Sequence, residues 1–288
     1  MAESLRHAGG GTAAGRPEVT VIQPSRGFAW PDPAELWRYR ELLYFLAWRD
    51  VKVRYKQTAL GAAWAVIQPA AQMLLFTALF GRLARLPSDG APYALFAYAG
   101  LVPWTYFAGA LHQAGNSLVT NRQLVEKVWF PRLLVPLAST AAGLVDLLVA
   151  SLLLPPLLLW HGRVPGVRIA ALPLFVALAA LAAAAAGVWL AALNVRYRDV
   201  RYTIPFLAQL WMFATPVVYP ASLVPPAWRA LYALNPMVGV VEGFRWCLIP
   251  GTPAPGSLAV ISAAAGTALL LSGVLYFQRV ERTFADVV

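Results

Sequence analysis

Six long apolar stretches divide this chain, at 60–80, 93–111, 133–160, 169–193, 202–219 and 257–277, and the basic residues between them gather in alternate gaps. About 20 predominantly apolar residues carry a helix across a hydrocarbon core of roughly 30 Å, so each stretch is sized for a transmembrane helix. The segment before the first stretch, the 112–132 and 194–201 gaps and the tail together hold 17 Lys and Arg, against 6 in the other three gaps. Basic residues near span ends stay in the cytoplasm. The sequence therefore predicts an all-α, polytopic protein of the cytoplasmic (inner) membrane, with six transmembrane helices and both termini inside.

Composition agrees. Hydrophobic residues make up 59% and charged residues 12%, about half the charged share of a soluble domain. A net charge of +10 would point to nucleic acid in a soluble protein. Here topology and attraction to anionic headgroups account for it, so membrane lipid is an expected partner and nucleic acid is not. Cys247 is the single cysteine, which excludes an intrachain disulfide. Residues 1–31 lack the apolar core of a signal peptide and read as a disordered cytoplasmic leader. The first span is then expected to act as its own insertion signal.

Asp32, Pro33 and Glu35 have the pattern of a helix start. The helix predicted over 32–56 carries Trp37, Tyr44, Trp48, Val51 and Tyr55 on one face and Glu41, Arg49, Lys52 and Lys56 on another. A basic helix with an aromatic side suits the membrane interface; packing on a partner domain is the alternative. Residues 57–288 form the transmembrane domain. Within the 112–132 gap, Leu118, Arg122 and Glu126 share a helical face that Pro131 closes. The 194–201 gap is short and basic, and both gaps also fit simple positive-inside anchors. In 220–250, five prolines separate two apolar pieces, 228–234 and 237–249, each too short to span. A re-entrant hairpin dipping in from outside fits them better than a plain loop, because irregular backbone at membrane depth needs protein or water to cover it.

The chemistry is sparse. The three histidines have no metal-ligand spacing, so no metal is expected, and no lysine follows a glycine, which excludes the phosphate-binding loop GxxxxGK[ST]. The chain is read as a permease rather than an enzyme. Asp146 is the one acid deep in an apolar span, by default a functional candidate, with a structural hydrogen bond as the alternative. Tyr93, Phe96, Trp104 and Phe107 fall along one face of the second span, and Phe206, Trp211 and Phe213 join them from the fifth. Such rings stack on the apolar faces of sugars without fixing register; bundle core or an interfacial belt explains them as well. The run holding Arg49, Lys52, Arg54 and Lys56 abuts the inner end of the first span. Its charges suit a lipid diphosphate arriving from the inner leaflet, or ordinary headgroup anchoring.

The 22-residue run from Trp48 to Pro69, WRDVKVRYKQTALGAAWAVIQP, resembles the N-terminal signature of ABC type-2 permeases that export O-antigen, capsular polysaccharide or teichoic acid. VWFPR at 128–132, NVRYRD at 194–199 and LNP at 234–236, with Glu242 and Arg245 after it, follow in matching order. The resemblance covers about residues 34–288. It implies a half-transporter: two copies form the pore, and two separate ATP-binding cassette subunits hold ATP and Mg beneath it. It also implies an interfacial helix before residue 57, a coupling helix at 118–130 and an outer re-entrant hairpin at 221–249. Arg122, Glu126, Lys127, Arg198 and Asp199 then face the ATPase, and the cargo is a glycan on an undecaprenyl diphosphate-type lipid. Two rivals are an ABC type-2 exporter of a small amphiphile, drug or lipid, and a membrane glycosyltransferase or phosphatase. The second needs acidic or histidine clusters that this sequence lacks.

Overall fold

The computed structural model describes residues 33–56, 60–197 and 199–281, and every regular element among them is helical. The leader at 1–31, Asp32 and Arg198 lie outside the described residues. Two helices, α1 (Pro33–Arg38) and α2 (Arg40–Tyr55), precede α3 (Ala63–Phe76), which continues as a π-type stretch over Thr77–Leu83. Gly61 sits at φ 46° just before α3, a left-handed turn that a residue without Cβ makes cheaply. Then come α4 (Tyr93–Thr120), α5 (Arg122–Lys127), α6 (Leu134–Ser151) and α7 (Leu154–Trp160). Pro155 and Pro156 supply no backbone N–H, which accounts for the break between α6 and α7. A single 3-10 turn leads into α8 (Leu172–Arg196), followed by α9 (Val200–Phe213), α10 (Pro226–Tyr232), α11 (Pro236–Leu248) and α12 (Gly256–Glu281).

Helix α4 is the axis of the bundle: Leu95, Ala97, Tyr98, Leu101, Phe107 and Ala114 are all fully buried. Its neighbours come close because they are small. The alanine-rich middle of α8 has Gly187 where a Cβ would lie 2.7 Å from that of Ala114, so only glycine permits this approach. On the far side of α8, Trp189 stacks on Tyr276 of α12 with centroids 4.6 Å apart and donates to Ser272 Oγ at 3.1 Å.

Five helical segments are long and apolar enough to cross a membrane: Ala63–Leu83, Tyr93–Thr120, Leu134–Trp160, Val167–Arg196 and Gly256–Glu281. The sixth expected span, 202–219, differs. Helix α9 stops at Phe213 after 14 residues, because Pro216 cannot donate to the helical ladder and disfavours helical backbone before it. The chain nevertheless follows α4 for most of its length. Ile204 abuts Gly115, Trp211 meets Phe107 edge-on with centroids 5.0 Å apart, and the Tyr93 hydroxyl donates to the Val218 carbonyl at 2.6 Å. From residue 115 to 93 along α4 is a rise of about 33 Å. Helix plus extended chain together run beside α4 over that length.

Helices α10 and α11 form a hairpin that leaves and rejoins one end of the bundle. At that end Ser222 Oγ donates to Asp89 at 2.9 Å and Arg168 donates to the Thr252 carbonyl at 3.4 Å. At the tip, Ser262 of α12 donates to the carbonyls of Ala233 and Asn235 and accepts from Gly239 N–H, and Pro236 packs toward Gly266. Those contacts lie about 9–15 Å along α12 from its start. The LNP motif is the joint. Asn235 Oδ1 caps α11 by accepting from Met237 N–H at 3.0 Å and also accepts from Trp211 Nε1 at 3.0 Å, while its amide donates to Ala214 O and Thr215 Oγ1.

Candidate functional site

Helix α2 turns two different faces to its surroundings. Leu46 and Val51 are buried, with Leu42 and Leu43 packed on the cluster around Phe130, Leu134 and Phe277. Trp37, Tyr44 and Trp48 project outward at 46–70% exposure. The aromatic face expected from the sequence is therefore split, since Val51 points inward. The helix runs along α6: Ser139 Oγ donates to Asp50 at 3.1 Å, and one helical turn later Arg54 reaches Asp146. Arg49 Nη2 donates to Asp50 at 2.8 Å and to Asn121 at 2.7 Å, tying the same helix to the end of α4.

Asp146 has two partners, both from the last turn of α2. Arg54 Nη1 makes an ion pair with one carboxylate oxygen and the Tyr55 hydroxyl donates to the other, while Arg54 Nη2 donates to Gln113 of α4. An intramembrane acid without a local partner in the sequence thus has one 92 residues away. The four basic residues expected at a lipid diphosphate divide into two sets. Arg49 and Arg54 are engaged in the networks just described. Lys52 and Lys56 are exposed, and Lys52 lies over the Trp48 ring.

Arg54, Tyr55 and Asp146 border a cavity of about 510 Å³ between α2, α3, α4 and α6, floored in part by Pro205 of α9. Its other walls combine rings and amides: Trp64, Gln68 and Gln72 from α3, and Trp104 and Gln113 from α4. Spacings of four residues put 64, 68 and 72 on one side of α3, where they could have been picked out as a polar pair inside an apolar span. The sequence reading missed them. Among the described residues no group of three or more His, Cys, Asp or Glu is placed to hold a metal ion.

The aromatic stripe of α4 does not form one open wall, which corrects the expectation. Phe96 and Phe107 are 1% and 0% exposed, closed in by Arg245 over the Phe96 ring at 3.5 Å and by Trp211 against Phe107. Tyr93 is half-buried and pinned by its hydroxyl to Val218. Trp104 is the stripe member that borders the cavity, although it too is buried, at 4% exposure. On α9, Phe206 and Phe213 point outward, 62% and 48% exposed. Periodicity locates a face but does not say what covers it.

At the end of the bundle where α4 finishes and α6 begins, the expected 118–130 helix is broken. Helix α4 runs on to Thr120, Asn121 interrupts, and α5 is six residues long. Arg122 and Glu126 form an exposed i,i+4 pair at 2.7 Å, and Lys127, Val128 and Trp129 are also exposed. Asp199 is exposed at the start of α9.

Residues 41–249 match the ABC-2 type transporter family, well over half of the chain. The protein belongs to that family. Among similar proteins, the O-antigen export system permease protein RfbA of Myxococcus xanthus is 29% identical over 254 residues, covering 88% of this chain and 97% of its own length. The protein of the same description from Klebsiella pneumoniae is 23% identical over 248 residues, covering 86% and 95%. The polysialic acid transport protein KpsM of Escherichia coli is 23% identical over 239 residues, covering 81% and 91%.

Proposed function

We propose that this chain is the transmembrane subunit of an ATP-driven exporter that moves a lipid-diphosphate-linked polysaccharide from the inner leaflet across the cytoplasmic membrane. The observation that carries this reading is the cavity at Arg54. It sets a guanidinium suited to phosphate oxygens beside tryptophan rings and amides suited to a sugar. The near full-length similarity to O-antigen and polysialic acid transporters supports the same cargo class. The chain itself is not an enzyme. It has no phosphate-binding loop, so ATP and Mg belong to separate ATP-binding cassette subunits that dock on the exposed α5 end. The basic asymmetry supports six crossings with both termini inside, the fifth made by α9 with residues 214–218. A second copy completes the pore. The outward apolar faces of α3 (Trp64, Leu74, Leu75) and α9 (Phe206, Leu210, Phe213) are the surfaces this reading assigns to it.

The test is reconstitution of the permease with its ATPase in proteoliposomes loaded with an undecaprenyl diphosphate-linked glycan. ATP-dependent appearance of the glycan on the opposite face is expected, reduced by Trp104→Ala with basal hydrolysis retained. ATP-driven movement of a small amphiphile with no glycan movement would overturn the reading.

A further inference from the structure

The Arg54–Asp146 pair is paired yet accessible: its side chains are 22% and 28% exposed, and both residues border the cavity. An ion pair that keeps contact with solvent costs less to open than a sealed one, whose separated charges would be left uncompensated. Here each partner has a second anchor: Arg54 is held by Gln113 of α4, and Asp146 by the Tyr55 hydroxyl of α2. Opening the pair therefore leaves neither group without a hydrogen bond. That is the arrangement expected of an exchangeable contact.

The accessible part of the cavity wall offers Gln68, exposed on α3, and Trp64, 55% exposed. A sugar ring suits that pair, with hydroxyls for the amide and an apolar C–H face for the indole.

We propose that Asp146 is a resident stand-in for the substrate's phosphate: it keeps Arg54 aimed into the cavity and gives it up to a phosphate ester attached to a sugar. This rests on the export reading above. A single carboxylate bonded to Arg54 competes with every anion that reaches the cavity. The apparent affinity of each falls by the fraction of time Arg54 is free. A glycerophospholipid headgroup, with one phosphodiester charge and no ring to stack, does not overcome that competition. A sugar diphosphate does, because it adds charge at Arg54 and contacts at Gln68 and Trp64. Tyr55 retains the displaced carboxylate. Asp146 thus sets the affinity threshold that any anion must exceed to hold the site, acting through Arg54.

The measurement is equilibrium binding to the permease–ATPase complex in nanodiscs of zwitterionic lipid. Three probes are titrated: an undecaprenyl diphosphate-linked monosaccharide, phosphatidylglycerol and inorganic diphosphate. The wild-type complex should bind the first and discriminate against the other two. Asp146→Asn should tighten all three by a similar factor, about tenfold or more. Arg54→Gln should abolish binding in either background. Tyr55→Phe, which keeps the ion pair but removes the anchor of the released carboxylate, should weaken the glycolipid several-fold; it serves as the deciding variant if Asp146→Asn does not assemble. Unchanged affinities in Asp146→Asn, weaker binding of the glycolipid in that variant, or no effect of Tyr55→Phe would each overturn the proposal while Arg54-dependent binding preserved the export reading. Wild-type glycolipid binding that ignores Arg54→Gln would overturn the diphosphate site itself.

Discussion

Arg245 is a charged residue at 1% exposure, and its surroundings explain how the fold tolerates it. Its guanidinium donates to Glu242 at 2.9 Å, to the Val217 carbonyl at 2.7 Å and to the Phe96 carbonyl at 3.3 Å, so one side chain ties α11 to α4 and to the extended chain after α9. Removing one partner of a buried pair leaves the other uncompensated, at a cost of about 3–5 kcal/mol. Arg245→Gln should therefore lower the thermal midpoint of the purified permease sharply. The double variant Arg245→Met with Glu242→Gln should recover part of the loss, as a thermal-shift cycle would read. Burial treats two members of the aromatic stripe alike: Phe107 is 0% and Trp104 4% exposed, with ring centroids 5.4 Å apart. Phe107→Ala and Trp104→Ala should each destabilise by about 3–5 kcal/mol through lost packing, as thermal shifts would read; an unchanged midpoint in either would place that ring outside the core. At this scale the sequence was only partly readable. It exposed Asp146, Arg54 and the stripe as chemically distinctive, yet a partner 92 residues away and a covering ring from another helix leave no local trace.

Elements were more legible, because hydrophobic periodicity and length report on them directly. The expected spans near 60–80, 93–111, 133–160, 169–193 and 257–277 all reappear as long helices. The 202–219 span fails as a helix because its apolar run conceals Pro216, which hydropathy does not register. The 118–130 helix shrinks to α5 because α4 continues as far as Thr120 and uses the residues in front of it. What remains is a short, exposed element whose own Arg122–Glu126 pair is worth only a few tenths of a kcal/mol. Its charges are thus inexpensive to change and suited to a partner. Reversing them with Glu126→Lys and Lys127→Glu should leave insertion and thermal stability intact, while weakening co-purification of the ATPase and cutting its stimulation by the permease. Normal co-purification and normal stimulation would move the coupling surface elsewhere, with Asp199 at the start of α9 the next element to test.

For the whole molecule, the bundle places a guanidinium, two tryptophans and three glutamines around one cavity, between the helix that climbs α6 and the first two long helices. Its hairpin of α10 and α11 enters and returns at the opposite end. On the proposed orientation, the hairpin end faces outside. Single cysteines at Ser88 and Ser222 in a Cys247→Ser background should accordingly react with an impermeant thiol reagent from outside, and a cysteine at Lys127 only after permeabilisation. The central claim is that the exported glycolipid passes through the Arg54 cavity, and one measurement addresses it most directly. A photo-crosslinking amino acid is placed at Gln68, at Trp104 or at Leu148, which is 62% exposed on the outside of α6, and illuminated during ATP-driven export. Adducts carrying the glycan should form at 68 and 104 and not at 148. Continued export with no glycan adduct at either cavity position would contradict the account.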